Sequence, residues 1–522
     1  MSQTVSISHL TPNATPRKRV LVVNCYFDDT RRPIRRTTKI PQAMGPVYLA
    51  GAFDRETCDV RLYNELSSGP LEDPQLLGWP DMLVLTGLTN SFDRMLHLTA
   101  YAKTKNPRVI VVAGGPPIRQ LPHLAAQFFD YCCLGDIEEL CDITRAALGP
   151  RYVAAEMMPR FDLAYWITWL GHIESTRYCN FRCSFCALTG EGRDYQTYNL
   201  AYIRQQMLAV SAKKHVLFID NNFYGSDRKH FCARLDLIKE LRAEKRFGDW
   251  GCLVTNDFFA KQENLTKARA AGCELLFSGV ESFDMDWLRA CNKLQNTKNP
   301  QVEMISKCLE SGIVFCYGLM VDPTSRRIAD LRRELHFITG TPEITLPSFL
   351  TMSIPLLGTP YFYECLKNCA IYPQTKLRDM DGLTIMMEPL DGVAEVIKFL
   401  RSVEGMEGYR LRVIKHAAAF ARLYRKRLTK VQMTLALINA AIICVPDVTN
   451  SFKGAGWRTR RKQPRTFVST TEPLDDQYTP KFRVDARFTR HFQPTMVTNE
   501  CGELAEEMIK SGLFKAVPAA VG

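Results

Sequence analysis

Short runs of Val, Ile and Leu alternate with amphipathic stretches in two successive series along this chain, and no other feature limits its fold as tightly. The first series reads RVLVVNC, PQAMGPVYLAGAF, CDVRLYN, DMLVLTGL, RMLHLTAYAKTKNP, RVIVVAGGPP, LPHLAAQF, FDYCCLG and EELCDITRAAL. Apolar runs of this kind imply a parallel sheet covered by helices, hence a doubly wound, Rossmann-like α/β domain over residues 17–150. Ligands of such sheets sit outside the carboxyl ends of the strands. Those ends carry Thr86, Gly87, Leu88, Thr89, Asn90 and Ser91, then Gly114, Gly115, Pro116 and Pro117, then Gly135 and Asp136. Glycines there either let the backbone approach a flat or phosphorylated ligand or simply turn the chain. No GxGxxG follows the first strand, which argues against a nucleotide dehydrogenase.

The second series begins at HIESTRYC and continues through HVLFIDNNF, WGCLVTND, CELLFSGVES, GIVFCYGLMVD and SFLTMSIPLLG. It predicts a second α/β unit, a full or partial β/α barrel with its chemistry at the strand ends. A chain of 522 residues exceeds what one core supports, so two domains with extensions are expected. The expected division is a flexible tail over 1–16, the first domain over 17–150, an aromatic-rich linker over 151–170, the second domain over 171–390 and a mainly helical C-terminal extension over 391–522.

Neither VQMTLALINAAIICV nor any other stretch reaches the roughly 20 apolar residues of a membrane span, and the first residues lack a signal-peptide core. A cytoplasmic protein is expected, and its 18 cysteines are then free thiols rather than a disulfide framework. The net charge of +12 concentrates at Arg31 to Lys39, Arg422 to Lys430 and Arg458 to Arg465. Such clusters suit acidic cofactors, nucleic acid or an anionic membrane surface. In the extension, a basic helix beside an apolar one suits peripheral membrane association, although a buried helix with solvated cations is the plainer reading.

In ESTRYCNFRCSFCALTG, Cys179, Cys183 and Cys186 follow a Cys-x3-Cys-x2-Cys spacing at the carboxyl end of a strand. A loop this tight aims three thiolates at one 4Fe-4S cubane. An electron-transfer cluster usually has four thiolates, whereas three leave one iron open. The rivals are packed core cysteines, which polar Asn180, Arg182 and Ser184 make less natural, and a zinc site, for which no further ligand stands at compatible spacing.

With Phe185 just before its last cysteine, this motif resembles the signature of the radical S-adenosylmethionine (SAM) superfamily, and the resemblance extends over most of residues 171–365. It implies that Cys179, Cys183 and Cys186 hold three irons and that SAM chelates the fourth, to be cleaved to methionine and a hydrogen-abstracting 5'-deoxyadenosyl radical. FIDNNF, with Asp220, Asn221 and Asn222, resembles the strand end that meets the methionine amino group, although Asn replaces a second acid. FSGVES, with Glu281 and Ser282, resembles the strand that contacts the ribose and carboxylate; Phe185 completes the implied SAM site. LRACNKLQN, with Asn292 and Lys293, resembles the segment after it, and IPLLGTP at Ile354 to Pro360 a late-barrel motif.

The doubly wound domain before such a barrel resembles the cobalamin-binding members of the superfamily. PQAMGPVYLAGAF, TGLTNS, VAGGPP and the Gly135–Asp136 turn match their cobalamin domain in order. The implied cobalamin residues are Met44, Gly45, Thr86, Gly87, Leu88, Thr89, Asn90, Gly114, Gly115, Pro116 and Gly135. No histidine lies between His9 and His97, so no imidazole is expected at the lower cobalt face, which Tyr26 to Asp29 or Leu88 to Ser91 would approach.

The resemblance implies an enzyme with a 4Fe-4S cluster, SAM and cobalamin. One SAM methylates the cobalamin, a second yields the radical, and the methyl group passes to an unactivated carbon of a small organic substrate. A hydrophobic isoprenoid such as a hopanoid is one candidate substrate, a peptide or antibiotic precursor another. The alternatives are an oxidative, ring-forming cyclase on the same scaffold and a non-catalytic regulator. A flavodoxin- or ferredoxin-type electron donor and peripheral membrane contact through the extension are the expected partners; nucleic acid is not.

Overall fold

A computed structural model of the chain describes residues 16–27, 43–402, 408–444, 467–469, 476–511 and 513. The expected N-terminal tail up to residue 15, Asp28 and Asp29, and the basic clusters at Arg31 to Lys39 and Arg458 to Arg465 lie outside these described residues.

The first domain is a five-stranded parallel sheet of β1 (Lys18–Asn24), β2 (Cys58–Asn64), β3 (Met82–Thr86), β4 (Ile110–Gly114) and β5 (Tyr131–Cys133), in the order β2-β1-β3-β4-β5. Successive side chains of a strand point to opposite faces, and here each face has its own core. Leu21, Val23, Leu83 and Leu85 pack with the helix Phe92–Lys105, while Val20, Val22, Val84 and Val112 pack with the helix Ile137–Ala147. The chain leaves β1 toward β2 and returns on its other side as β3, so the ends of β1 and β3 form the crevice where such sheets take ligands. Tyr152, Ala164, Trp166 and Ile167 from the linker are buried in the second of these cores.

The second sheet opens with β6 (Leu170–Ile173), whose exit is framed by the antiparallel two-residue strands β7 (Thr176–Arg177) and β8 (Gln196–Thr197). It continues through β9 (His215–Phe218), β10 (Asp249–Leu253), β11 (Cys273–Glu281), β12 (Val314–Val321) and β13 (Phe349–Met352). All six strands are parallel and lie in chain order, with β6 and β13 as the edges. This is a partial barrel; every strand end that follows in sequence lies on the same side, and the crossovers include the helices Arg228–Ala243, Gln301–Glu310 and Ile328–Gly340.

The helices Val393–Ser402, Tyr409–Tyr424 and Lys430–Cys444 follow, with Val396, Phe399, Val413 and Phe420 buried in the barrel core. Gln432 Nε2 donates to Gly312 O at 2.7 Å and Tyr424 Oη to Glu343 O at 2.8 Å. Gly312 and Glu343 precede β12 and β13, so this helical pair caps the amino ends of the strands. No helix among the described residues is long and apolar enough to cross a membrane. Phe467 and Val468 pair with Thr384 and Ile385. Residues 476–511 are mostly irregular and return to the first domain, where Tyr478 Oη and Thr495 N and Oγ1 donate to the buried Asp93 carboxylate.

Candidate active site

Glu174, Ser175 and Thr176 leave the end of β6, and one buried acid fixes their path. Asp220, just after β9, accepts from Ser175 N at 2.6 Å, Thr176 N at 2.8 Å and Ser175 Oγ. Arg234, from the next helix, stands 3.5 Å from the same carboxylate and donates to Ser175 Oγ at 2.7 Å. Both side chains are fully buried. Paired and hydrogen-bonded, two such charges hold a turn in one conformation.

The chain then enters the cysteine loop through Tyr178, at φ +60°. Arg182 Nη1 donates to Cys179 O at 2.9 Å, Cys186 N to Cys183 O at 3.2 Å and Thr189 Oγ1 to Cys183 O at 2.8 Å. Ser184 N and Oγ each donate to Cys291 O at 3.1 Å, and Asn292 Nδ2 donates to Arg182 O at 2.8 Å, which ties the loop to the segment after β11. Cys183 is buried, and Cys179 and Cys186 are partly so. Burial pushes Cys179 up to about 11 and raises Cys186, and each is raised further by neighbouring cysteines of the trio. Bare thiolates at Cys179 and Cys186 would therefore be costly here, and iron is the kind of positive charge that relieves them. Among the described residues no group of three or more His, Cys, Asp or Glu side chains closes on a single ion.

Phe185 stacks on Trp287 with centroids 6.4 Å apart, and Lys293 Nζ lies 5.7 Å from its centroid. Lys293 also pairs with Glu281 at 2.6 Å, where Glu281 holds φ +62° at the end of β11. A Cβ on Gly279 would come within 2.3 Å of Glu281 Oε1 and 2.8 Å of Lys293 Nζ, so the ion pair sits in the space the missing side chain leaves and would have to shift for a larger residue. Gln295 Nε2 donates to Cys183 Sγ at 3.4 Å. Ser282 instead turns into a buried network, donating to Glu334 at 2.6 Å and accepting from Arg326 at 3.1 Å. Of the residues assigned to SAM from sequence, Phe185 and Glu281 thus gather at the cysteine loop, Asn221 is exposed, and Asp220 and Ser282 are buried beneath them.

Between the two domains lies a cavity of about 280 Å³. The first sheet lines it with Met44, Gly45, Thr86, Gly114, Gly115 and Gly135, and the second domain with Glu174, Arg177, Tyr178, Leu188 and Asn221. Gly115 adopts φ +99°, and a Cβ there would sit 2.9 Å from Gly87 O, so the ends of β3 and β4 can close on each other only with glycine at this position. Gly87, Leu88, Thr89, Asn90 and Pro116 are not on the cavity wall. Leu88 is 70% exposed, Thr89 and Asn90 begin a turn packed against Leu377–Asp379, and Pro116 opens a short helix. Among the described residues no histidine lines the cavity; His97 is stacked on Phe492 at 4.6 Å instead.

A charged network joins the walls. Arg119 pairs with Asp136 and with Glu191, each at 2.7 Å, and Arg193, Arg177 and Tyr178 Oη also converge on Asp136. Tyr48 Oη donates to Gln206 Oε1 at 2.7 Å, and Gln206 Nε2 to Glu174 O at 2.8 Å, which bridges the domains a second time. Glu174 accepts from Tyr198 Oη at 2.9 Å, and burial with the nearby Asp220 carboxylate raises it to about 7. Glu174, Arg119 and Arg177 were not foreseen as site residues, because an isolated Glu or Arg in sequence carries no sign of what it will face.

A family profile described as the Radical SAM superfamily matches residues 173–335, the span that carries the cysteine loop, Glu281 and Lys293. Residues 173–335 are a radical SAM domain. Among curated proteins, the chain is 22% identical over 316 residues to the bacteriochlorophyllide d C-8(2)-methyltransferase of Chlorobaculum tepidum, covering 54% of this chain and 68% of that one. It is 24% identical over 268 residues to the hopanoid C-2 methylase of Rhodopseudomonas palustris, covering 47% of this chain and 50% of that one. The solved structure of the cobalamin-dependent S-adenosylmethionine radical enzyme OxsB with aqua-cobalamin bound aligns with a TM-score of 0.55 at 14% identity, covering 91% of this chain and 79% of that one. At that identity the likeness is one of fold, and it takes in the doubly wound domain as well as the radical SAM domain.

Proposed function

We propose that the chain is a cobalamin-dependent radical SAM methyltransferase that moves a methyl group from SAM, by way of cobalamin, to an unactivated carbon of a hydrophobic substrate such as a hopanoid. The observation that carries this reading is the cavity walled by the glycine-rich carboxyl ends of the first sheet on one side and by the approach to the cysteine loop on the other. When bound, the cluster with SAM supplies a hydrogen-abstracting radical, and cobalamin a transferable methyl group.

Cys179, Cys183 and Cys186 would hold three irons, leaving one for SAM. Asn221, Glu281 and Lys293 would receive its polar groups, with the Phe185 ring, stacked on Trp287, beside Lys293. Gly45, Gly114, Gly115 and Gly135 bring backbone to the cavity wall for a flat ring, with Met44 and Thr86 beside them. The Arg119–Asp136–Arg177 network closes the two domains together and helps keep water from the space between them. Glu174, poised near neutrality, can hold or release a proton at its carboxylate on that wall. A small electron carrier of the flavodoxin or ferredoxin type is the donor we assign. The similarity to a bacteriochlorophyllide d methyltransferase and a hopanoid methylase supports methyl transfer as the reaction.

The test is anaerobic reconstitution with iron, sulfide, cobalamin and methyl-labelled SAM, followed by mass spectrometry with a hopanoid acceptor. Label in the product, with both S-adenosylhomocysteine and 5'-deoxyadenosine formed, is the expected result. Deoxyadenosine without methyl transfer would move the reaction to the ring-forming class, and neither product from a protein with an intact cluster would leave a regulator.

A further inference from the structure

We propose that Gln295 sets the reduction potential of the cluster by donating its amide N–H to the sulfur of Cys183. The inference rests on the reading that Cys179, Cys183 and Cys186 are the iron ligands.

Four observations favour this amide over the groups around it. Gln295 is 3% exposed and its Nε2 lies 3.4 Å from Cys183 Sγ. Its turn, Leu294–Asn296, is fixed from the next residue, where Asn296 Nδ2 donates to Gly279 O at 2.7 Å and to Val280 O at 3.0 Å. The amide is therefore held in place rather than resting on the sulfur by chance. Cys183 is the buried cysteine of the trio, so water has little access to replace that N–H if it is removed. Lys293, the cation whose charge acts on Cys179 and Cys186, is matched by Glu281 at 2.6 Å and contributes little net field. The Gln295 dipole is uncharged, has no such opponent, and acts in a site where a low dielectric magnifies it.

Reduction adds one electron to the cluster from a low-potential donor and forms or breaks no bond in the protein. A hydrogen bond to a cysteinyl sulfur favours the more negative, reduced state, which raises the potential. Gln295 thus acts through Cys183 as a positioning donor, not as a catalytic group.

The experiment is a redox titration of the anaerobically reconstituted full chain, followed by the electron paramagnetic resonance of the reduced cluster. Gln295→Met keeps the length and bulk and removes the donor; Gln295→Glu keeps the shape and replaces the donor with a carboxylate. With iron content unchanged, Gln295→Met should shift the midpoint to lower potential, so that the reduced-to-oxidised ratio at a fixed applied potential falls on the order of tenfold. Gln295→Glu should shift it further in the same direction. Full clusters with the wild-type midpoint in both variants would overturn the proposal. Loss of iron from both variants, in protein whose circular dichroism is unchanged, would also overturn it, because Gln295 would then retain the cluster rather than tune it. A wild-type chain that takes up no iron-sulfur cluster would instead refute the ligand assignment on which the inference rests.

Discussion

Burial and the adjacent Asp220 carboxylate lift Glu174 from 4.5 to about 7, against the opposing pull of Tyr198 and Arg177. An acid whose value rises on folding stabilises the folded state most when it is protonated. That contribution is complete below the unfolded value of 4.5 and is lost as pH climbs through about 7. Wild type minus Glu174→Gln should therefore show a difference in melting temperature that shrinks over this window. A difference flat across it would mean that Glu174 does not titrate there. At Gly115, φ +99° and the approach of Gly87 O to 2.9 Å of any Cβ make alanine a strained substitution. Gly115→Ala should cost about 1–3 kcal/mol in denaturant unfolding and weaken cobalamin retention on gel filtration.

At the scale of elements, the turn after β6 depends on the Asp220–Arg234 pair. Arg234→Met leaves a wholly buried carboxylate without its cation and should cost about 3–5 kcal/mol, read by urea unfolding, with lower iron uptake because the turn feeds the cysteine loop. Wild-type stability in that variant would contradict the role given to the pair. The strands themselves were legible: VLVV, MLVLT and IVVAG are apolar on both faces because both faces of the sheet are covered. The cysteine spacing was legible too, because a Cys-x3-Cys-x2-Cys run puts three thiols on one short loop whatever the fold around it. What Asp220 does was not legible, since FIDNNF gives its position at a strand end but not the direction of its carboxylate, which turns inward to Ser175 and Thr176. Nor did TGLTNS show that only Thr86 of its Thr86–Asn90 stretch would reach the cavity, because the backbone turns away at Gly87 and Leu88 faces outward.

Across the whole molecule, two features join domains that the sequence presents as separate. The segment 476–511 crosses back to the first domain and spends Tyr478 and Thr495 on Asp93. Asp93→Ala removes the acceptor for all of these donors and should destabilise the chain by about 2–3 kcal/mol in thermal or urea unfolding. The helical pair 409–444 caps the amino ends of the barrel strands, the end away from the cysteine loop, so a membrane contact made there would not sit beside the cavity mouth. The central claim is that two walls, one built on the glycine-rich strand ends of the first sheet and one on the approach to the cysteine loop, meet across a shared cavity. Iron and cobalamin content of the anaerobically reconstituted protein, compared with Cys183→Ala, tests it most directly. The account predicts iron-sulfur absorption and bound cobalamin in the wild type, and loss of iron with cobalamin retained in Cys183→Ala; zinc at these thiols, or a wild type that binds neither group, would contradict it.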